Sequence, residues 1–466
     1  MEFKAVFVRI RAVFRHWLDV VFDPVLTQVG TMAEIHPFRA LRFDITEVGD
    51  LSQVVCPPYD VIDPAFQQRL HETSPFNIIR LEYGLDASGD DATHNKYTRA
   101  AATLREWIKS GVLSPETTPA IYLYEQEYTV EGQVFKRRGF FARVRLEAFG
   151  EGRIYPHEQT LSGPKADRLN LFEATRTNLS PIFGLYPDET NAVLTALEKG
   201  VKDRTPITAI DHLGVINRMW PVTDDATLTA VRGLIADKPV FIADGHHRYE
   251  TGLNYQKRLA AEGKLSGPDD PANFVMMTLV SMSDPGLLIL PTHRLISGLG
   301  RMPKADLVAK LSSQFEIKEF GKGPEAARAA WDFIESSGDQ ERIGFGTAAD
   351  DEWIVASLRS DARMDSLCPS QSAEWRSLGV SILRELVVKD LLAAESIAKF
   401  KYVHLLNEVL EDKGWDVAAL VPSATMEHVQ AIASGGETMP PKSTYFYPKL
   451  LTGMVVNPMF DLREIH

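Results

Sequence analysis

Lys238-Pro-Val-Phe-Ile-Ala-Asp-Gly-His-His-Arg-Tyr-Glu250 is the stretch from which the fold class follows. Residues 240–243 form a short apolar run between Lys238-Pro239 and Asp244-Gly245, which reads as a buried strand ending in a turn. A helix from about Arg248 to Ala261 comes next and opens on His246, His247 and Arg248. Backbone N–H groups and the positive end of a helix dipole then meet three side chains able to carry positive charge. Such a turn is a candidate anion site, with phosphate its natural guest. Arg248 has the planar fork for two parallel hydrogen bonds to phosphate, and a histidine can shuttle a proton near neutral pH. The competing reading makes Asp244 a helix cap, Gly245 a turn residue and the histidines polar surface. A metal site on Asp244, His246 and His247 is a weaker rival, because adjacent histidines point in different directions and His-x-x-x-His spacing is absent.

Outward from this unit, strand-like and helical segments alternate. A helix over 225–236 presents Leu228, Val231 and Leu234 on one side, and a helix over 92–110 presents Tyr97, Ala101, Leu104 and Ile108 before Gly111. Residues 120–130 and 134–149 predict a hairpin around Glu131-Gly132-Gln133, and 181–187 a further short strand. Residues 262–271 read as a loop. Helices are predicted near 304–314, 325–335 and 376–394, and strands near 342–347 and 352–358. The pattern predicts an α/β fold, or a mixed α+β one, with the strand-turn-helix unit inside a larger multi-unit chain. The expected divisions are an N-terminal extension over 1–31, an α/β core over 32–300 and a C-terminal α/β region over 301–466.

Composition limits the function classes. The chain has 466 residues, 44% hydrophobic and 24% charged, which excludes general disorder. Fifty Lys+Arg against 63 Asp+Glu leave a net charge of −13, which argues against a nucleic-acid surface. Two cysteines, Cys56 and Cys368, make neither a disulfide framework nor a zinc knuckle and fit a reducing, cytoplasmic setting. No transmembrane segment is expected, since no run approaches ~20 apolar residues. In residues 1–31, Phe3, Phe7, Ile10, Phe14, Trp17 and Val21 recur at helical steps. The favoured reading is a dispensable extension before a start at Met32, and the rival a surface or partner helix.

Three other stretches concentrate polar chemistry. Residues 155–168 hold His157, Glu158, Lys165, Asp167 and Arg168, where a carboxylate can act as general base or hold Mg²⁺ beside phosphates. A solvated loop with internal ion pairs competes equally. Residues 436–443 nearly spell the phosphate loop, but Pro441 replaces its second glycine and offers no N–H, so that loop is rejected. Lys442, Ser443 and Thr444 remain candidates for lining an anion pocket. In 55–62, Tyr59 and Asp60 are candidate ligand contacts, while Cys56, with no histidine neighbour, reads as structural.

Cys56-Pro-Pro-Tyr-Asp-Val-Ile62, His157-Glu158 with Asp167-Arg168, Ile242-Ala-Asp-Gly-His-His-Arg-Tyr-Glu-Thr251 and Met439-Pro-Pro-Lys-Ser-Thr-Tyr-Phe-Tyr-Pro-Lys449 together closely resemble a bacterial and archaeal family. It is catalogued as domain of unknown function 1015, and the resemblance runs from about His36 to Val456. The strand, Asp-Gly-His-His-Arg and helix arrangement also looks like the nucleotide- and phosphate-binding box of the ParB/sulfiredoxin superfamily, which includes free-serine kinases as well as DNA-partition proteins. These resemblances imply phosphoryl transfer to or from a small metabolite, serine or phosphoserine first, with ATP or ADP and Mg²⁺. In that scheme Asp244, Gly245 and Arg248 hold phosphate, His246 or His247 moves a proton, and Glu158 or Asp167 serves as base or Mg²⁺ ligand. Lys165, Arg168 and Lys442 to Thr444 rank second as anion ligands. Two alternatives stand beside it: a nucleotide-responsive binding module without turnover, and a metal-dependent hydrolase.

Overall fold

The strand Val240–Asp244 puts Val240 and Ile242 into one hydrophobic core and Phe241 and Ala243 into another. A strand covered on both faces needs an unbroken apolar run, which is what the sequence supplies. The structure is a computed structural model that describes residues 33–158 and 162–461, with the helical backbone alone for 162–165. The readings of residues 1–31 and of a start at Met32 therefore lie outside the described residues.

Among the described residues, Val240–Asp244 belongs to a nine-stranded mixed sheet. Across it run Ile154–Pro156, Val240–Asp244, Ile182–Tyr186, Phe274–Ser281, Gln133–Arg145, Ile121–Val130, Ile216–Val222 and Ile207–Ile210, with Ile35–His36 also paired to Gln133–Arg145. The predicted hairpin is its centre. Val130 pairs with Gln133, so the turn is Glu131-Gly132 alone, and both residues take positive φ, 49° and 80°, as a two-residue turn between twisted strands requires.

A second sheet of six antiparallel strands uses residues after 292: Phe315–Lys322, Glu352–Leu358, Arg342–Thr347, Val417–Leu420, His293–Ser297 and Lys399–Val403, in that spatial order. The chain's last part then runs beside the first sheet and makes separate two-stranded pairings. Tyr445–Tyr447 pairs with Leu288–Leu290, Asn457–Pro458 with Thr177–Asn178, and single bridges join Glu158 to Met439 and Cys56 to Thr452.

The predicted helix over 376–394 does not form as one piece. Leu378 is extended, at φ −62° and ψ 132°, which separates Ala373–Ser377 from a π-helical segment at Ile382–Leu391. In Asp225–Ala236 the buried face is Leu228, Val231 and Ile235, whereas Leu234 is exposed. No described helix is long and apolar enough to cross a membrane.

Candidate functional site

The strand carrying Asp244 slips register against Ile182–Tyr186 between Ile242 and Asp244, an irregularity that re-aims the last side chain. The next helix begins at His246, two residues earlier than predicted. Its N-cap is Gly245 at φ 92°, and no side chain caps it among the described residues. Asp244 is therefore not the helix cap. Its Oδ2 accepts from Arg248 Nη2 at 2.6 Å, and its Oδ1 accepts from Lys449 Nζ at 2.6 Å. Burial opposes the Asp244 charge, but Lys449 and Arg248 outweigh it and hold the carboxyl well below the usual range. Burial likewise opposes the Lys449 charge; Asp244, Asp60 and Tyr445 overcome it and push the ammonium up to about 12.

Arg248 spends its fork on the protein, donating from Nη2 to Asp244 and from Nη1 to the Pro181 carbonyl. Gly245 allows this. A Cβ there would stand 2.9 Å from Arg248 Nε, in a backbone region that side chains rarely adopt.

The histidines act differently from the charged trio expected at the turn. His157 is fully buried, and its Nδ1 donates to the Ile242 carbonyl at 2.5 Å, so its Nε2 is bare and accepts from the Thr444 hydroxyl at 2.8 Å. The His157 backbone N–H donates to His246 Nε2 at 3.2 Å, and the two rings meet edge to face. Burial lowers His157 to about 4 and takes His246 well below its ordinary value, the latter helped by His157. His246 thus stands at the turn as a neutral, enclosed ring. His247 is half-buried beside it, and its carbonyl accepts from Thr251.

Residues 439–449 close the site from the far end of the chain. Met439 N–H donates to the His157 carbonyl at 2.7 Å. Lys442 takes φ 61°, its side chain is exposed, and its N–H reaches the Glu158 carboxylate. Burial raises the Glu158 carboxyl, against the pull of Lys442. Ser443 is buried and donates to the Pro440 carbonyl, so it shapes the turn. Arg294, from the second sheet, donates to the Lys442 carbonyl at 2.8 Å. His404 stacks on Tyr445 with ring centres 3.4 Å apart, and Lys449 lies 4.7 Å from the same ring.

Asp167 and Arg168 form a neighbouring network. Arg168 Nη2 donates to Asp167 at 2.5 Å, Nη1 lies 3.3 Å from Glu82 Oε1, and the guanidinium covers Tyr59 at 4.2 Å. Asp167 also accepts from Tyr97 at 2.8 Å and lies 3.4 Å from Lys96. Arg168, Glu82, Ser180 and Arg248 line one cavity of about 40 Å³, room for little more than water. The network thus reaches Arg248 through Glu82. The Lys165 side chain lies outside the described structure.

Among the described residues no group of three or more His, Cys, Asp or Glu converges as metal ligands, and both Asp244 oxygens face cations. The structure joins Asp244, Gly245, His246, Arg248, His157, Glu158, Lys442 and Thr444 by direct contact. It adds Lys449, Glu82, Arg294 and His404, which the motifs did not single out. Lys449 lay inside a quoted stretch, but its partner is distant in sequence. Glu82 carried no local signal beyond being a carboxylate in an apolar neighbourhood.

A sequence profile of the DUF1015 family, described as protein of unknown function, matches residues 35–381. The chain belongs to the DUF1015 family. In this DUF1015 protein the match covers the first sheet and the Asp244–Arg248 turn and ends before residues 439–449, short of the Val456 limit suggested by the motifs. A search of curated proteins finds no match. Among solved structures, the DUF1015 chain is similar to a free serine kinase in complex with AMP, at TM-score 0.31 and 13% identity over 63% of this chain and 83% of that one. It is also similar to a conserved hypothetical protein from Pyrococcus furiosus, at 0.32 and 12% over 67% and 94%. SbnI from Staphylococcus aureus, truncated at its C-terminus, matches at 0.32 and 11% over 67% and 85%.

Proposed function

We propose that this chain transfers a phosphoryl group between a nucleotide, ADP or ATP, and a small metabolite, with serine or phosphoserine the first candidate. One observation carries the reading. Among the described residues the 16-residue helix that begins after Gly245 has no side-chain cap, its N-cap being a glycine, and its positive end lies beside the Lys449–Asp244–Arg248 cluster. A phosphate at that turn meets backbone donors and an enclosed positive field. The resemblance of the Asp-Gly-His-His-Arg sequence to a ParB/sulfiredoxin nucleotide box supports the same reading.

Glu158 is the carboxylate suited to proton transfer, because burial raises its proton affinity above that of an ordinary carboxylate. The neutral His246 ring orients groups at the turn. A Mg²⁺ ion carried by nucleotide phosphates would find Glu158 as its protein carboxylate, since Asp244 is committed to Lys449 and Arg248. Such an ion would neutralise charge on the transferred group. Catalysis would rest on positioning and charge stabilisation.

The test is direct. Purified full-length chain is incubated with serine plus Mg²⁺ and ADP or ATP, and separately with phosphoserine, and followed by phosphorus NMR. Phosphoserine formed as the nucleotide loses its terminal phosphate, or phosphate released from phosphoserine, supports the assignment. Silence in every arm removes serine and phosphoserine as substrates.

A further inference from the structure

We infer that Arg137 and Gln126 are the positioning residues that fix Lys449 against Asp244, by holding the backbone carbonyls of residues 447–449. Arg137 is 2% exposed. Its Nη1 donates to the Tyr447 carbonyl at 3.1 Å and its Nη2 to the Pro448 carbonyl at 2.5 Å and to Gln126 Oε1. The Gln126 amide donates in turn to the Lys449 carbonyl at 3.1 Å and to Asn217 Oδ1 at 3.0 Å, and Asn217 also accepts from Tyr124 at 2.5 Å. Three consecutive carbonyls are thus gripped from two adjacent strands of the first sheet.

The arrangement is costly if it serves packing alone. Among the described residues no carboxylate contacts Arg137: its acceptors are neutral, its flat face lies 4.7 Å from the Phe183 ring, and Asp284 and Asp244 act on it only through space. A buried guanidinium without an ion-pair partner is retained where its several fixed donors do something an apolar side chain could not. Here they order a stretch with no helix or long strand of its own to hold it. The Lys449 ammonium emerges on the other side of that stretch, 2.6 Å from Asp244.

The inference rests on the reading of Lys449 and Asp244 as the centre of the site, but its test needs no substrate. Lys449 in the wild-type chain is held protonated by Asp244 and should resist an amine-acylating reagent at pH 9. Acylation is quantified by peptide mass spectrometry, with exposed Lys401 as internal reference. In Arg137→Met and in Gln126→Leu, loss of the grip frees the ammonium from Asp244, and Lys449 acylation should rise about tenfold or more as its proton affinity returns toward that of an ordinary lysine. Removing the Arg137 charge without moving Lys449 would slow acylation, so the direction separates positioning from simple charge loss. Gln126→Leu changes no charge and decides the matter if Arg137→Met does not fold. Wild-type acylation of Lys449 in either folded variant overturns the inference. A rise supports it even where the serine assays are silent.

Discussion

Lys449 and Asp244 lie 205 residues apart in the chain, yet Nζ and Oδ1 stand 2.6 Å apart, joining residues 439–449 to the end of the strand Val240–Asp244. The Lys449 side chain is 13% and the Asp244 side chain 16% exposed, so water does little to screen the pair. Lys449→Met should therefore destabilise the fold by about 3 kcal/mol, near the lower end expected when one partner of a buried pair is removed, because Arg248 still faces Asp244. Urea unfolding at pH 7 measures it. A loss below ~1 kcal/mol would show that the pair behaves like a surface contact.

Acid sensitivity should come from buried histidines. His157 and His404 are lowered to about 4 and His293 to about 3, in each case mainly by burial. The unfolded chain binds protons on these rings near pH 6.5 while the folded chain does not, so stability is full above that pH and declines as pH falls toward 4. His157 and His404 each contribute up to about 3 kcal/mol and His293 somewhat more. Unfolding midpoints measured from pH 7 to 4.5 should fall steadily; a flat profile would mean that the rings are not enclosed.

Gly245→Ala should be disproportionately harmful for so small a change. The left-handed backbone costs an L residue about 1–2 kcal/mol, and the added methyl pushes on the Arg248 guanidinium. Denaturation should register that loss, and ligand titration a weaker turn. An alanine variant as stable as wild type would contradict the geometry at this cap.

Arg248→Lys separates two roles. The fork holds Asp244 and the Pro181 carbonyl at once, and a lysine reaches one of them at most. Loss of one charge-assisted hydrogen bond predicts about 1.5–3 kcal/mol of stability. Calorimetry with ADP beside a melting curve checks the assignment: weakened binding at unchanged stability would show Arg248 gripping ligand rather than protein.

Short-range features of the chain were readable in advance for physical reasons. The hairpin at Glu131-Gly132 depends on neighbours that accept positive φ, and the buried strand before Asp244 on an apolar run with turn residues at its ends. Where such reasoning failed, a single backbone or packing choice intervened. Leu378 became extended inside a run with helical periodicity, and Ile235 rather than Leu234 turned inward, beside Leu228 and Val231. The candidate site divides in the same way. Asp244, Gly245, Arg248, His157, Glu158 and Thr444 were singled out as candidates from residue type and local order, whereas Glu82 and Arg137 sit in stretches whose local pattern gives them no distinction and the partner of Lys449 is distant in sequence.

Residue order alone was enough for a turn at Asp244-Gly245, the strand before it and a helix after it, since these follow from torsional preference and periodicity over a few residues. It did not contain the charge states. Whether His246 is a cation or a neutral ring, and whether the Arg248 fork meets phosphate or Asp244, depends on burial and on which distant groups pack nearby. Electrostatic energy follows distance through space and the loss of water, not separation along the chain. Only when residues 439–449 fold back over the first sheet does Lys449 reach Asp244 and share its carboxylate with Arg248.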